Sequence, residues 1–201
     1  MAGRPRSFDR DEALFSAMRV FWAKGYADAS MTDLTGAMGI NSPSLYAAFG
    51  SKEQLFREAV KLYQSSEGGA FRDAMAAPTA REAIEAGLMT TAAAVECPGR
   101  PNGCLVLMAG AHPDALPKAA CNDLSALRAG TLATLEDRLR RGRDAGEIAP
   151  DADLAAMAAF YNTVQQGMVF RARDGATADE LRGTARAAML AWDGLAGLRR
   201  S

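Results

Sequence analysis

The chain has 201 residues, of which 49% are hydrophobic and 23% are charged, the balance of an ordinary globular protein. This composition excludes intrinsic disorder, and the length excludes three or more domains. The formal net charge of −1 gives no bulk attraction to nucleic acid or to an anionic membrane. A partner of either kind would therefore have to meet a local patch of charge.

No segment of the sequence predicts a membrane span or a signal peptide. The longest run of apolar or small residues, 104–111, is far shorter than the ~20 residues that a membrane span needs. The basic residues Arg4 and Arg6 are not followed by the apolar core of a signal peptide. We therefore expect a cytoplasmic protein without a membrane partner.

The cysteines predict neither a disulfide framework nor a metal site. Cys97, Cys104 and Cys121 are an odd number in a chain without an export signal, which favours reduced thiols. Together with the single His112 they follow one another at spacings that match no compact zinc motif. We expect no metal and no cofactor.

Helices are predicted nearly throughout, because alanine is abundant, β-branched residues are scarce and apolar residues recur three and four positions apart. The four predicted N-terminal helices span residues 10–24, 31–38, 42–49 and 51–63. Gly25 suits the left-handed conformation that ends the first of them. Ser30, Ser42 and Ser51 are the expected N-caps of the next three.

The predicted helices after Gly69 are longer, and they span residues 79–96, 104–111, 117–141, 151–173 and 177–198. Thr79 and Thr177 each stand three residues before a glutamate, which is the spacing of a capping box. The stretch 97–103, with two prolines and two glycines, is expected to be a loop. The fold class that follows is all-α.

Two short predicted helices, 31–38 and 42–49, have the length and spacing of a helix-turn-helix, whose second helix lies in the DNA major groove. Gly39 suits the tight turn, and Leu34 and Leu45 suit the contact between the helices. Spacing alone also fits two short helices packed in a core without DNA.

Four short motifs surround this helix pair. They are GY at 25–26, SMTDL at 30–34, GI at 39–40 and SPSLYAAFGSKEQLF at 42–56. Over residues 8–60 they resemble the DNA-binding region of TetR-family transcriptional regulators. The resemblance implies a helix-turn-helix DNA-binding domain over 1–60 and a helical-bundle domain for ligand binding and dimerisation over 61–201.

The resemblance also implies seven residues that face DNA, namely Thr32, Ser42, Pro43, Ser44, Tyr46, Ala47 and Lys52. Thr32 and Lys52 match positions that hold phosphates, which agrees with the affinity of helix N-termini and lysine for anions. The second helix carries no Arg, Lys, Asn or Gln, so we expect hydroxyl, methyl and DNA-shape recognition to replace bidentate base contacts. Arg4 and Arg6 fit either a minor-groove arm or a solvated tail.

A homodimer and a small-molecule pocket are further implications of the resemblance. Large residues of the last two helices, Met157, Met168, Met189 and Trp192, are the candidate interface, although a monomeric core would use the same stripe. The candidate pocket residues are Met89, Cys104, Met108, Phe160 and Tyr161, and a methionine-rich stripe also suits a plain core. Cys104 opens a helix, where the helix dipole favours a reactive thiol; a buried, inert thiol is the favoured alternative.

The function implied is that of a ligand-responsive transcriptional regulator, most often a repressor, which binds a palindromic operator in double-stranded DNA as a dimer. The sequence contains no Gly-rich phosphate loop and no Ser-His-Asp set, so we expect no enzyme. The alternative hypothesis is a helical small-molecule-binding or thiol-switch protein with a vestigial DNA-binding head, because the helix-turn-helix is only weakly basic.

Overall fold

The computed structural model describes residues 8–111 and 113–198. These residues form eleven α-helices and no strand, which confirms the predicted all-α fold. The helices are α1 (Arg10–Asp28), α2 (Met31–Met38), α3 (Ser42–Phe49), α4 (Lys52–Ser66), α5 (Ala70–Asp73), α6 (Ala80–Ala93), α7 (Leu105–Gly110), α8 (Lys118–Asp144), α9 (Leu154–Arg173), α10 (Ala178–Met189) and α11 (Trp192–Leu195).

Three helices begin with a complete capping box, in which the N-cap hydroxyl accepts from a backbone N–H and the acid three residues later accepts from the N-cap N–H. The pairs are Ser30 with Asp33, Thr79 with Glu82, and Thr177 with Glu180. At α4 the Ser51 hydroxyl accepts from the N–H of Gln54. These local signals correctly predicted where the helices begin.

Several expected helix ends lie elsewhere, most clearly in α1 and in the last predicted helix. Gly25 has φ 81 and ψ 178, so it interrupts α1 as expected, but a further helical turn continues to Asp28. The predicted final helix is broken between Met189 and Trp192 into α10 and α11. The short helix α5 was not predicted at all, because its four residues are too few to show a helical period.

One hydrophobic core joins α1–α4, which we call the head, to α7 and the start of α8. Phe21, Leu45 and Phe56 are fully or almost fully buried in it, and the rings of Phe21 and Phe56 meet edge to face at 5.1 Å. Leu105 and Leu124 belong to the same core. The head is therefore packed directly against helices of the second half of the chain.

A second core lies among α6, the end of α8, α9 and α10. Its largest buried side chains are Trp192 and Tyr161, whose ring centroids are 5.9 Å apart. Arg138 is also buried there, and its guanidinium donates to the carbonyls of Ala77 and Pro78. Among the described residues, no helix combines the length and apolar character that crossing a bilayer requires.

Candidate nucleic-acid interface

Helix α3 is packed into the head along one side and open along the other. Leu45 and Phe49 are buried in the first core. The residues predicted to face DNA lie on the opposite side, with Ser42, Pro43, Tyr46 and Ala47 exposed and Ser44 half-buried. Tyr46 is 49% exposed, which leaves its ring free to contact another molecule.

The start of α3 is set by the turn that precedes it. Gly39 adopts the left-handed conformation, with φ 65, and the N–H of Ile40 donates to the carbonyl of Thr35 at 3.1 Å. The N-cap of α3 is Asn41, whose side chain accepts from the N–H of Ser44 at 2.9 Å. The expected cap, Ser42, is instead the first helical residue, because asparagine one position earlier supplies the side-chain oxygen.

Arg10 fixes the far end of α3 against α1 and α4. Its guanidinium donates to both carboxylate oxygens of Glu58, at 2.9 and 2.7 Å, and lies 4.4 Å from the centre of the Phe49 ring. It also lies 3.4 Å from the carbonyl oxygen of Ala48. This role was not predicted, because Ala48 and Glu58 are 38 and 48 residues from Arg10 and such separations leave no local pattern in the sequence.

Thr32 is exposed in the first turn of α2, at the place expected of a phosphate contact. Nearby, the ammonium of Lys24 lies 2.6 Å from the carboxylate of Asp33. Hydrogen bonds from Lys24 and then from Ser30 lower the pKa of Asp33 to about 2. The carboxylate at the start of α2 is thus ionised and paired with a cation.

Lys52 occupies the first position of α4 and is half-buried. Its ammonium lies 4.6 Å from the centre of the Tyr26 ring and 3.4 Å from the carbonyl oxygen of Ala27. Burial lowers the pKa of Lys52, and the charge of Asp28 opposes this. The amine is therefore held beside the end of α1, and its contact with phosphate stays a prediction, as does that of Thr32. Arg4 and Arg6 lie outside the described residues.

A cavity of about 280 Å³ lies behind the head, between α4, α5, α7, α8 and α9. Cys104 is on its wall and also on the wall of a neighbouring cavity of about 90 Å³. Burial raises the pKa of the Tyr63 phenol, and the neighbouring Cys104 raises it further. Of the five predicted pocket residues, Cys104 thus lies beside both cavities.

The other four predicted pocket residues do not line these two cavities. Met89 packs against the second core, and Met108 is half-buried in α7. Phe160 is 38% exposed, and Tyr161 is buried beside Trp192, where burial raises its pKa to about 12. The helical period located apolar faces correctly but did not reveal which of them border an open space. His112 lies outside the described residues.

The predicted dimer residues Met157, Met168, Met189 and Trp192 are all buried within one chain, with at most 6% of any of them exposed. They form the second core and leave almost no surface for a partner, which favours the alternative of a core within one chain. Exposed apolar side chains lie elsewhere on these helices or next to them. These are Phe160 and Phe170 on α9 and Leu190, which is 77% exposed, after α10.

Two family models match the chain. Residues 14–59 match the model for bacterial regulatory proteins of the tetR family, and residues 78–189 match the model for a tetracyclin repressor-like C-terminal domain. The first match covers the helix-turn-helix, and the two together cover most of the sequence. The chain belongs to the tetR family. It is a transcriptional regulator, and the family resemblance found over residues 8–60 is confirmed by the match at 14–59.

Two relatives of this tetR-family regulator carry the names of transcriptional repressors. The HTH-type transcriptional repressor ComR of Escherichia coli is 34% identical over 196 residues, which cover 94% of this chain and 91% of ComR. The repressor BdcR of Escherichia coli is 31% identical over 185 residues, 91% of this chain and 88% of BdcR.

A solved structure of high similarity has DNA bound. The TetR family regulator CifR, as a cysteine mutant complexed with 26 bp of double-stranded operator DNA, is 43% identical to this tetR-family chain. The match covers 94% of this chain and 100% of CifR, with a TM-score of 0.88. The agreement extends over both halves of the fold, so the arrangement of head and helical bundle is shared.

Proposed function

We propose that the protein represses transcription by binding, as a homodimer, to a palindromic operator in double-stranded DNA, and that a small-molecule effector releases it. The observation that carries this proposal is the exposed face of α3. The opposite side of the helix is buried in the head through Leu45 and Phe49. The structure of CifR on operator DNA supports a role for the same head in DNA binding.

In the proposed complex, α3 enters the major groove with Ser42, Pro43, Ser44, Tyr46 and Ala47 toward DNA. The hydroxyls donate to base or phosphate oxygens, and Ala47 meets the methyl group of thymine. Thr32 and Lys52 contact phosphates on either side of the groove. With few base-specific donors, sequence preference arises largely from DNA shape and from the spacing of the two half-sites.

The dimer is proposed to form through the outer face of α9 and α10. Exposed apolar side chains of this kind mark association surfaces in soluble proteins, and Phe160, Phe170 and Leu190 provide them. A two-fold axis between such faces generates two copies of α3, which must lie about 34 Å apart to read successive major grooves. The operator is expected to be palindromic because the dimer that binds it has two-fold symmetry.

Effector release is proposed to pass from the cavity to the head through α7 and α8. The first core includes residues of both helices, among them Val106 and Leu124. Arg57 of α4 is paired with Asp123 of α8 at 2.6 Å. We divide the chain into a DNA-binding domain, residues 1–60, and a domain for ligand binding and dimerisation, residues 61–201, with these contacts as their link.

The test is selection of bound fragments from the source genome by the purified protein, followed by sequencing. The expected result is one palindromic motif among the bound fragments. The Tyr46→Ala variant should bind fragments with this motif more weakly. A matched control is Phe15→Ala, which removes another exposed aromatic of the head, 42% exposed and located on α1. Recovery of no preferred sequence by a folded dimer would overturn the proposal.

A further inference from the structure

We infer that the 280 Å³ cavity binds a small organic acid, and that the carboxylate of this ligand pairs with Arg128. The inference rests on the proposed effector-responsive function and names the chemical class of the effector. It is carried by the charge of the cavity wall, by the unpaired donor on Arg128 and by the size of the space.

The wall of the cavity is positively charged. Two arginines, Arg72 and Arg128, line it, and no aspartate or glutamate does. Every acidic residue of the chain lies in the described residues, and within these neither arginine forms an ion pair with a carboxylate. Neither guanidinium therefore has a carboxylate of the described residues within ion-pair distance.

Arg128 is held in place with one donor nitrogen unused. Its Nη2 atom donates to the hydroxyl of Ser125 at 2.9 Å, whereas Nη1 is buried without a hydrogen-bond partner among the described residues. Nη1 lies over Gly110, where a Cβ atom would come within 1.8 Å of it. A buried charged donor without a partner carries a desolvation cost, which a carboxylate oxygen in the cavity would remove.

The rest of the wall suits the body of a small organic acid. Amide side chains also line the cavity, and the Oδ1 atom of Asn162 is buried without a hydrogen-bond partner in the described part of the chain. Phe71, Leu107 and Leu127 add apolar surface. The volume of about 280 Å³ is slightly less than the ~300–1,000 Å³ typical of drug-sized ligand sites. A compact acid with an apolar or polar body therefore fits better than a long-chain or polycyclic ligand.

Calorimetric titration of the full-length protein with matched acids and amides tests the inference. The probes are benzoate and hexanoate, with benzamide and hexanamide as neutral counterparts of nearly the same shape. At least one acid is expected to bind at least about tenfold more tightly than its amide, because charge-assisted hydrogen bonds are stronger than neutral ones. Failure of both acids to bind, or equal binding of acid and amide, would overturn the inference.

Variants of the cavity assign the preference to Arg128. Arg128→Gln is expected to reduce the affinity for the acid to that for the amide, and Arg128→Lys to retain part of the preference. Gly110→Ala, which displaces Nη1 but keeps the charge, provides a second variant and should also weaken binding of the acid. Arg140→Gln, an exposed arginine on the same helix, is the control and should bind as the unchanged protein does.

Operator binding without ligand is measured on the same preparations. Because the cavity lies outside the proposed DNA interface, Arg128→Gln is expected to bind the operator normally. If Arg128→Gln binds the operator normally and still prefers the acid to the amide, the assignment of the ligand to Arg128 is overturned. The proposed function is then unaffected. If the protein without substitutions fails to bind the operator, the proposed function is overturned, whether or not the acids bind.

Discussion

The indole Nε1 of Trp22 donates to the carbonyl oxygen of Gly103 at 3.3 Å. The same indole meets the ring of Tyr63 edge to face at 4.8 Å. Trp22 is completely buried in α1, and Gly103 directly precedes Cys104 on the cavity wall. Helix α1 of the head is thus hydrogen-bonded to the segment that borders the cavity.

Trp22→Phe should weaken the coupling between effector binding in the cavity and operator release by the head. The change keeps an aromatic ring but removes the N–H donor and part of the buried volume, so the free energy of unfolding should fall by roughly 1–3 kcal/mol. Urea denaturation measures the stability, and operator affinity with and without ligand measures the coupling. Trp192→Phe, in the second core, should lose similar stability while the coupling stays normal.

Tyr46→Ala and Lys52→Ala should each weaken binding to specific and nonspecific duplexes alike. Contacts with phosphate and sugar position the protein and carry little sequence information. For Lys52→Ala the slope of log affinity against log salt concentration should also fall by about 1. Titration of operator and scrambled duplexes at several salt concentrations checks both effects. A loss confined to the operator would assign base recognition to these residues instead.

Leu190→Glu should convert the dimer into folded monomers, because the side chain is 77% exposed on one chain and a partner would bury the introduced charge. Trp192→Glu should instead unfold the chain, since Trp192 is 2% exposed within its own core. Light scattering gives the mass and circular dichroism the helix content. Phe15→Glu, on the head, should remain dimeric. A dimeric Leu190→Glu variant would contradict the proposed interface.

Protonation of Asp33 should make the head less stable in acid. Its pKa in the folded protein is lowered to about 2, whereas an unfolded aspartate titrates near ~3.9. The stabilisation is therefore complete above about pH 4 and is lost as the pH falls toward about 2. Denaturation of the unchanged protein and of Asp33→Asn should show a stability difference that is constant near neutral pH and shrinks over this acid range. A constant difference down to pH ~2 would contradict the lowered pKa.

Local patterns in the sequence predicted most of the helices and the exposed side of α3. The capping boxes at Ser30, Thr79 and Thr177 satisfy backbone donors within three residues, so they do not depend on distant parts of the chain. The same holds for Gly39, whose left-handed conformation makes the turn. Leu45 and Phe49, four residues apart, identify the buried side of α3 and therefore its exposed side.

Only the tertiary structure decided whether the other apolar faces are covered by helices of the same chain or left for a second copy. The helical period places Met157, Met168 and Trp192 on apolar stripes, but a stripe is equally apolar whether its own chain or a second copy covers it. The packing of α6 and α8 on α9 and α10 decides in favour of the core. The cavity is likewise bounded by five helices from distant parts of the chain, so no local period could reveal that Arg128 borders it.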